Sequence, residues 1–116
     1  MNKRILIVDE DPSLLRLAET VLKKAYDVVA TQRPEDALDP GVEFDLLITA
    51  MQIRGTSGIE LVQKVRARFP RLPCLVLAGG FEPGEQRWLA QNRVGYLSRP
   101  HAMDGLKVSV AHMLAP

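Results

Sequence analysis

The chain predicts an α/β fold, a three-layer α/β/α sandwich built around a parallel sheet. Short apolar runs recur along it, the first being Ile5-Leu6-Ile7-Val8. Each run stops at glycine, proline or acidic residues, as strands buried on both faces do. Between the runs lie segments with helical apolar spacing, so strand and helix alternate. That alternation implies right-handed crossovers and helices on both faces of the sheet. At 116 residues, 47% apolar and 25% charged, the chain fits one domain spanning 1–116, long enough to bury a sizeable core.

Residues 5–8 form the first predicted strand, ended by Asp9-Glu10-Asp11. Asp11-Pro12-Ser13 then reads as a helix start, with Asp11 as N-cap and Pro12 at the first helical position. Leu14, Leu15, Ala18, Val21, Leu22 and Ala25 give that helix one apolar stripe. Residues 27–31 predict a second strand, and 34–38 a brief helix cut off by Pro40-Gly41. The third strand, 44–50, runs into the glycine-punctuated segment 51–58, which reads as loop. A helix follows over 58–69, with Ile59, Leu61, Val62, Val65 and Phe69 on its apolar face. Residues 73–78 are a fourth buried strand ending at Gly79-Gly80, and 83–92 a helix whose apolar residues are Trp88 and Leu89. A fifth strand, 95–98, stops at Arg99-Pro100, and 102–114 closes the chain as a helix with Leu106, Val110 and Leu114 on one face.

Composition narrows the function. A formal net charge of +1 makes no electrostatic case for nucleic acid or an anionic membrane surface. One cysteine, Cys74, excludes an internal disulfide and a multi-cysteine metal site; within an apolar run it reads as a buried core thiol. No apolar run reaches membrane length, and the N-terminal run is too short for a signal peptide, so a cytoplasmic protein is expected. His101 and His112 share no ligand spacing. No helix pair suited to DNA follows the last helix, so direct nucleic-acid binding is not expected.

In open parallel sheets, ligands and chemistry gather beyond the carboxyl ends of the strands. Four segments that meet those ends, 5–13, 44–48, 55–61 and 95–100, resemble the receiver domains of two-component response regulators. The resemblance spans essentially the whole chain in the right order, and it implies a flavodoxin-like five-stranded sheet of order 2-1-3-4-5. It also implies that an acid pair after the first strand binds Mg²⁺ and that an Asp ending the third strand accepts a phosphoryl group from a histidine kinase. A Ser or Thr ending the fourth strand, a Lys before Pro at the end of the fifth, and a switch aromatic complete the pattern.

Carried onto this chain, the acid pair is Asp9 and Glu10, the aromatic is Tyr96, and the carbonyl completing the metal site belongs to Gln52. The acceptor position is Ala50, the Ser/Thr position Ala78, and the Lys position Arg99. A methyl group forms no acyl phosphate, so Ala50 removes the nucleophile and one anionic metal ligand together. Mg²⁺ prefers an octahedron of oxygens, so a site at Asp9, Glu10 and Gln52 would be weak, and no resident cofactor is expected. Arg99 keeps the charge of Lys in a different shape. Opposite Asp9 it would interact by roughly 4 kcal/mol at about 4 Å and an effective dielectric near 20, partly offset by desolvation.

The expected function is therefore a non-enzymatic signalling module, a degenerate receiver acting through protein contacts. In the family, the fourth helix, fifth strand and fifth helix meet a sensor kinase or an output protein, or a second copy in a homodimer; here these are the segments around 85–92, 95–98 and 102–114. A conventional receiver with an engineered Asp-to-Ala change at residue 50 is the alternative, although a single edit leaves Ala78 and Arg99 unexplained. A flavodoxin-like small-ligand binder ranks lower, because Asp9-Glu10-Asp11 replaces the glycine-rich loop such a site needs.

Overall fold

The computed structural model describes residues 2–98 and 102–115. Arg99 and His101 lie outside the described residues. Five parallel strands form one sheet: β1 (Arg4–Val8), β2 (Asp27–Thr31), β3 (Leu46–Ala50), β6 (Cys74–Ala78) and β7 (Gly95–Ser98). Their spatial order is β2-β1-β3-β6-β7, which is 2-1-3-4-5 counted among the sheet strands. The remaining two short strands, β4 (Gln52–Ile53) and β5 (Thr56–Ser57), make a separate antiparallel hairpin.

Period-two alternation sends successive side chains to opposite faces. From β1 and β3, Ile5, Ile7, Leu46 and Ile48 join Leu15, Ala18 and Leu22 of α1 (Pro12–Leu22) and Leu106 and Val110 of α4 (Ala102–Met113). Leu6, Val8 and Leu47 face the other way, toward Leu61, Val62 and Val65 of α2 (Gly58–Arg68) and Leu89 of α3 (Pro83–Gln91). The three layers and the flavodoxin-like strand order agree with expectation. Burying each of these large side chains contributes about 1.5–3 kcal/mol, which is what fixes the strand register.

The boundaries show where local reading stops. α1 ends at Leu22, and both Ala25 and Tyr26 donate backbone N–H groups to Leu22 O at 3.1 Å. Ala25 is thereby exposed instead of completing the stripe, and the half-buried Tyr26 packs on the core in its place. Residues 34–38 form a 3-10 helix. Phe44 and Asp45 precede β3, and the Asp45 carboxylate accepts the Arg4 N–H at 2.8 Å. The expected loop at 51–58 contains the β4–β5 hairpin, turned by Gly55 at φ 77° and anchored by buried Met51 and Ile53.

Candidate functional site

A cleft of about 530 Å³ opens at the carboxyl end of the sheet. Asp9, Glu10 and Asp11 reach it from the turn after β1, Ala50, Met51 and Gln52 from the end of β3, and Leu77 through Gly80 from the end of β6. Glu82 and Glu85, from the start of α3, form its far rim.

The turn after β1 is held from both sides. Asp9 N–H donates to Thr31 O at 3.2 Å, and the Asp9 carboxylate, 6% exposed, accepts the Asp11 N–H at 3.0 Å. Asp11 in turn caps α1 by accepting Ser13 N–H at 2.9 Å, with Pro12 following as expected. Glu10 is exposed, and its backbone carbonyl accepts from the Gln32 amide at 3.2 Å.

Ala50 is 4% exposed at the end of β3. Its carbonyl accepts the Thr49 hydroxyl at 2.9 Å, which satisfies that fully buried Thr within the strand. Gly58 packs so closely that a Cβ there would lie 2.5 Å from Ala50 O. The loop is closed further by Met51 N–H donating to Leu77 O at 2.8 Å and Gly58 N–H donating to Met51 O at 2.7 Å. Ser57 caps α2 through Glu60 N–H at 3.1 Å, and the Thr56 hydroxyl donates to the Glu60 carboxylate at 2.7 Å. Both side chains are occupied structurally, in keeping with the loop and helix-start roles read from sequence.

Asp9, Glu10, Ala50, Gln52 and Ala78 thus share one cleft. Tyr96 is placed elsewhere: it is exposed on β7, its ring 5.0 Å from that of Phe81 at an interplanar angle of 58°. Trp88 is half-buried against the core. Cys74 is fully buried, and burial pushes its thiol up to about 11, which agrees with a core thiol. The residues that sequence reasoning left out are Glu82 and Glu85. Their spacing was the available signal, since the Glu85 carboxylate accepts Glu82 N–H at 2.8 Å in the manner of a capping box.

The donor set does not fit a resident Mg²⁺. The expected ligands are the Asp9 and Glu10 carboxylates and the Gln52 carbonyl, Ala50 adds nothing, one Asp9 oxygen already accepts from Asp11, and Asp11 and Glu85 are engaged as caps. Among the described residues, no group of three His, Cys, Asp or Glu side chains is placed to hold a metal ion.

The response regulator receiver domain family matches residues 5–111. The chain belongs to that family. This receiver domain is similar to the cell cycle response regulator CtrA of Brucella ovis, 26% identical over 108 residues covering 89% of this chain and 46% of that protein. It therefore spans about half the length of the curated relatives it matches. It superposes on the BeF3-activated DrrB receiver domain (Thermotoga maritima) with TM-score 0.89 at 19% identity, over 100% of both chains. The chemotaxis response regulator CheY4 of Vibrio cholerae gives 0.86 at 22% identity, over 98% of this chain and 100% of that one. These likenesses carry the fold. Receiver domains serve two-component signalling, generally as signalling modules and not as enzymes, meeting kinases and output domains. Among the described residues, no helix is long and apolar enough to cross a membrane.

Proposed function

We propose that residues 1–116 act as one degenerate receiver domain that signals through protein contacts and takes no phosphoryl group at residue 50. The observation that carries this reading is Ala50, whose methyl stands in the cleft beside Asp9 and Glu10 with no oxygen to attack phosphorus. Ala78 on the same wall offers no hydroxyl donor to phosphoryl oxygens. Arg99 supplies the cation that the family places as Lys, in a fork and not as a point charge. Tyr96 keeps the position of the family's switch aromatic. Bias toward one conformation then comes from a partner, since such switches need differential binding to two states and not phosphate as such.

The partner surface in this reading is α3, β7 and α4, offered to a sensor kinase, an output protein or a second copy. It is supported by two exposed apolar side chains on adjoining elements, Tyr96 at 38% and Val108 at 72%. The test is intact mass after incubating parent and Ala50→Asp proteins with Mg²⁺ and a small acyl phosphate. Neither protein is expected to gain a phosphoryl group. An adduct on the parent overturns the reading, whereas one on the variant alone favours a conventional receiver that has lost only its acceptor.

A further inference from the structure

α3 closes on backbone bonds and on the Asn92 side-chain amide, which donates to Trp88 O at 2.8 Å. Its last turn carries no basic side chain, although the carbonyl end of a helix has partial negative charge that a cation stabilises. The following turn has the bonds of a Schellman motif. Val94 N–H donates to Leu89 O at 2.9 Å and Arg93 N–H to Ala90 O at 3.2 Å, with Leu89 and Val94 both buried. The residue at the left-handed position is Arg93, at φ 56°, where glycine is the usual occupant. Its Cβ crowds the following carbonyl, so the turn is strained.

A cation reaches the turn from another helix, and it binds the carbonyls just beyond α3. Arg66, half-buried in the last turn of α2, donates Nη1 to Asn92 O and Nη2 to Arg93 O, the latter at 3.1 Å. Its Nε donates to Leu72 O at 3.1 Å. Only a planar guanidinium presents donors in a fork that serves three carbonyls from two segments. One side chain therefore ties together the end of α2, the loop entering β6, and the turn between α3 and β7.

We infer that Arg66 is a strap holding the strained α3–β7 turn closed, so that the seating of α3 is controlled from α2. α3 carries Glu82 and Glu85 of the cleft rim and the half-buried Trp88. A consequence for partner binding rests on the surface proposed above, whereas the strap rests on geometry alone. Its test involves no partner and no phosphodonor, so it can fail independently of that reading.

Hydrogen exchange read by mass spectrometry on the whole chain tests it, comparing the parent with Arg66→Lys, Arg66→Ala and Arg66→Ala combined with Arg93→Gly. Amides over 86–95 are expected to exchange about tenfold faster in Arg66→Ala, while those of β1 and β3 keep parental rates. Lys retains charge but not the fork, so Arg66→Lys shows the same local pattern at smaller amplitude. Arg93→Gly relieves the strained turn and restores part of the protection. Parental exchange over 86–95, an equal acceleration across all strands, or no recovery with Arg93→Gly overturns the strap. If Arg66→Ala does not fold, Arg66→Lys decides: local acceleration over 86–95 supports the strap, and parental or uniformly faster exchange overturns it.

Discussion

The two ends of the sheet hold two cavities of opposite character. At the amino end a groove of about 1110 Å³ runs between the start of β1 and the loops 40–45 and 68–73. At the carboxyl end the cleft measures about 530 Å³. Three charged side chains lining the larger groove, Arg4, Asp45 and Arg68, are engaged with backbone. Asp45 accepts Arg4 N–H at 2.8 Å, Arg4 Nη1 donates to Glu43 O at 3.4 Å, and Arg68 Nη1 donates to Leu38 O at 2.9 Å. Prolines 40, 70 and 73 and the ring of Phe69, half-exposed beside Arg68, complete that wall. The smaller cleft gathers Asp9, Glu10, Asp11, Glu82 and Glu85 from loops that follow two different strands. Volume here measures how far loops splay. Strand direction decides where side chains from separate parts of the chain converge, and in a parallel sheet they converge at the carboxyl end.

The sharpest way to break this contrast is to add one carbon at each end. In Gly58→Ala the new Cβ would meet Ala50 O at 2.5 Å and Met51 Cα at 3.1 Å, both backbone atoms that cannot swing aside. A loss of about 3 kcal/mol is expected from the urea unfolding midpoint. Gly41→Ala, at the amino end, meets only the Asp39 carboxylate at 3.4 Å and should change stability by about 0.5 kcal/mol or less. Equal losses would mean that the two ends are packed alike.

The next effect belongs to the amino end. The Cys74 thiol rises from 9.0 to about 11 on folding, chiefly because burial disfavours the thiolate and against the pull of the Arg66 guanidinium. The folded protein therefore keeps its proton where the unfolded chain releases it. Stability is unaffected by this group below about pH 9 and falls as pH rises toward 11, by at most about 1.4 kcal/mol per unit. Denaturant melts of the parent and Cys74→Ala across that window should differ in slope, with the variant losing this component. Parallel slopes would remove Cys74 as the cause.

The smallest test concerns Asp45. Replacing it with Ala leaves Arg4 N–H without its acceptor, yet the pair is solvent-exposed, so water can substitute. A loss of about 0.5 kcal/mol is expected in thermal melts. A loss several times larger would show that the amino-end loops help to hold β1 against β3.

Much of the scaffold was legible in the chain itself. Five short runs became the five sheet strands, with β1, β3 and β6 buried and the edge strands β2 and β7 partly exposed, and Asp11-Pro12-Ser13 became a capped helix start. Ser57 likewise became the N-cap of α2. The acid pair and Ala50 were legible as strand-end positions because each follows an apolar run whose carboxyl end is easily found, while their proposed roles came through the family resemblance. The strand order came through the family resemblance, since alternation alone says parallel without saying which strands adjoin. The early end of α1, the β4–β5 hairpin and the placing of Glu82 and Glu85 on the cleft rim were not legible. Each depends on what distant residues press against it.

What the sequence by itself determined is therefore local: apolar period, caps, strand-ending glycines, and the absence of an acceptor oxygen at residue 50. Those features act over a few residues, where backbone geometry and side-chain type suffice. Only the tertiary structure decided that the acids after β1 and at the start of α3 share a cleft, that a larger groove lies at the other end, and that Arg66 reaches carbonyls 26 and 27 residues away. The physical reason is that such contacts depend on how the crossover helices seat on the sheet. That seating is set by the joint packing of both apolar faces, which no short window of sequence encodes.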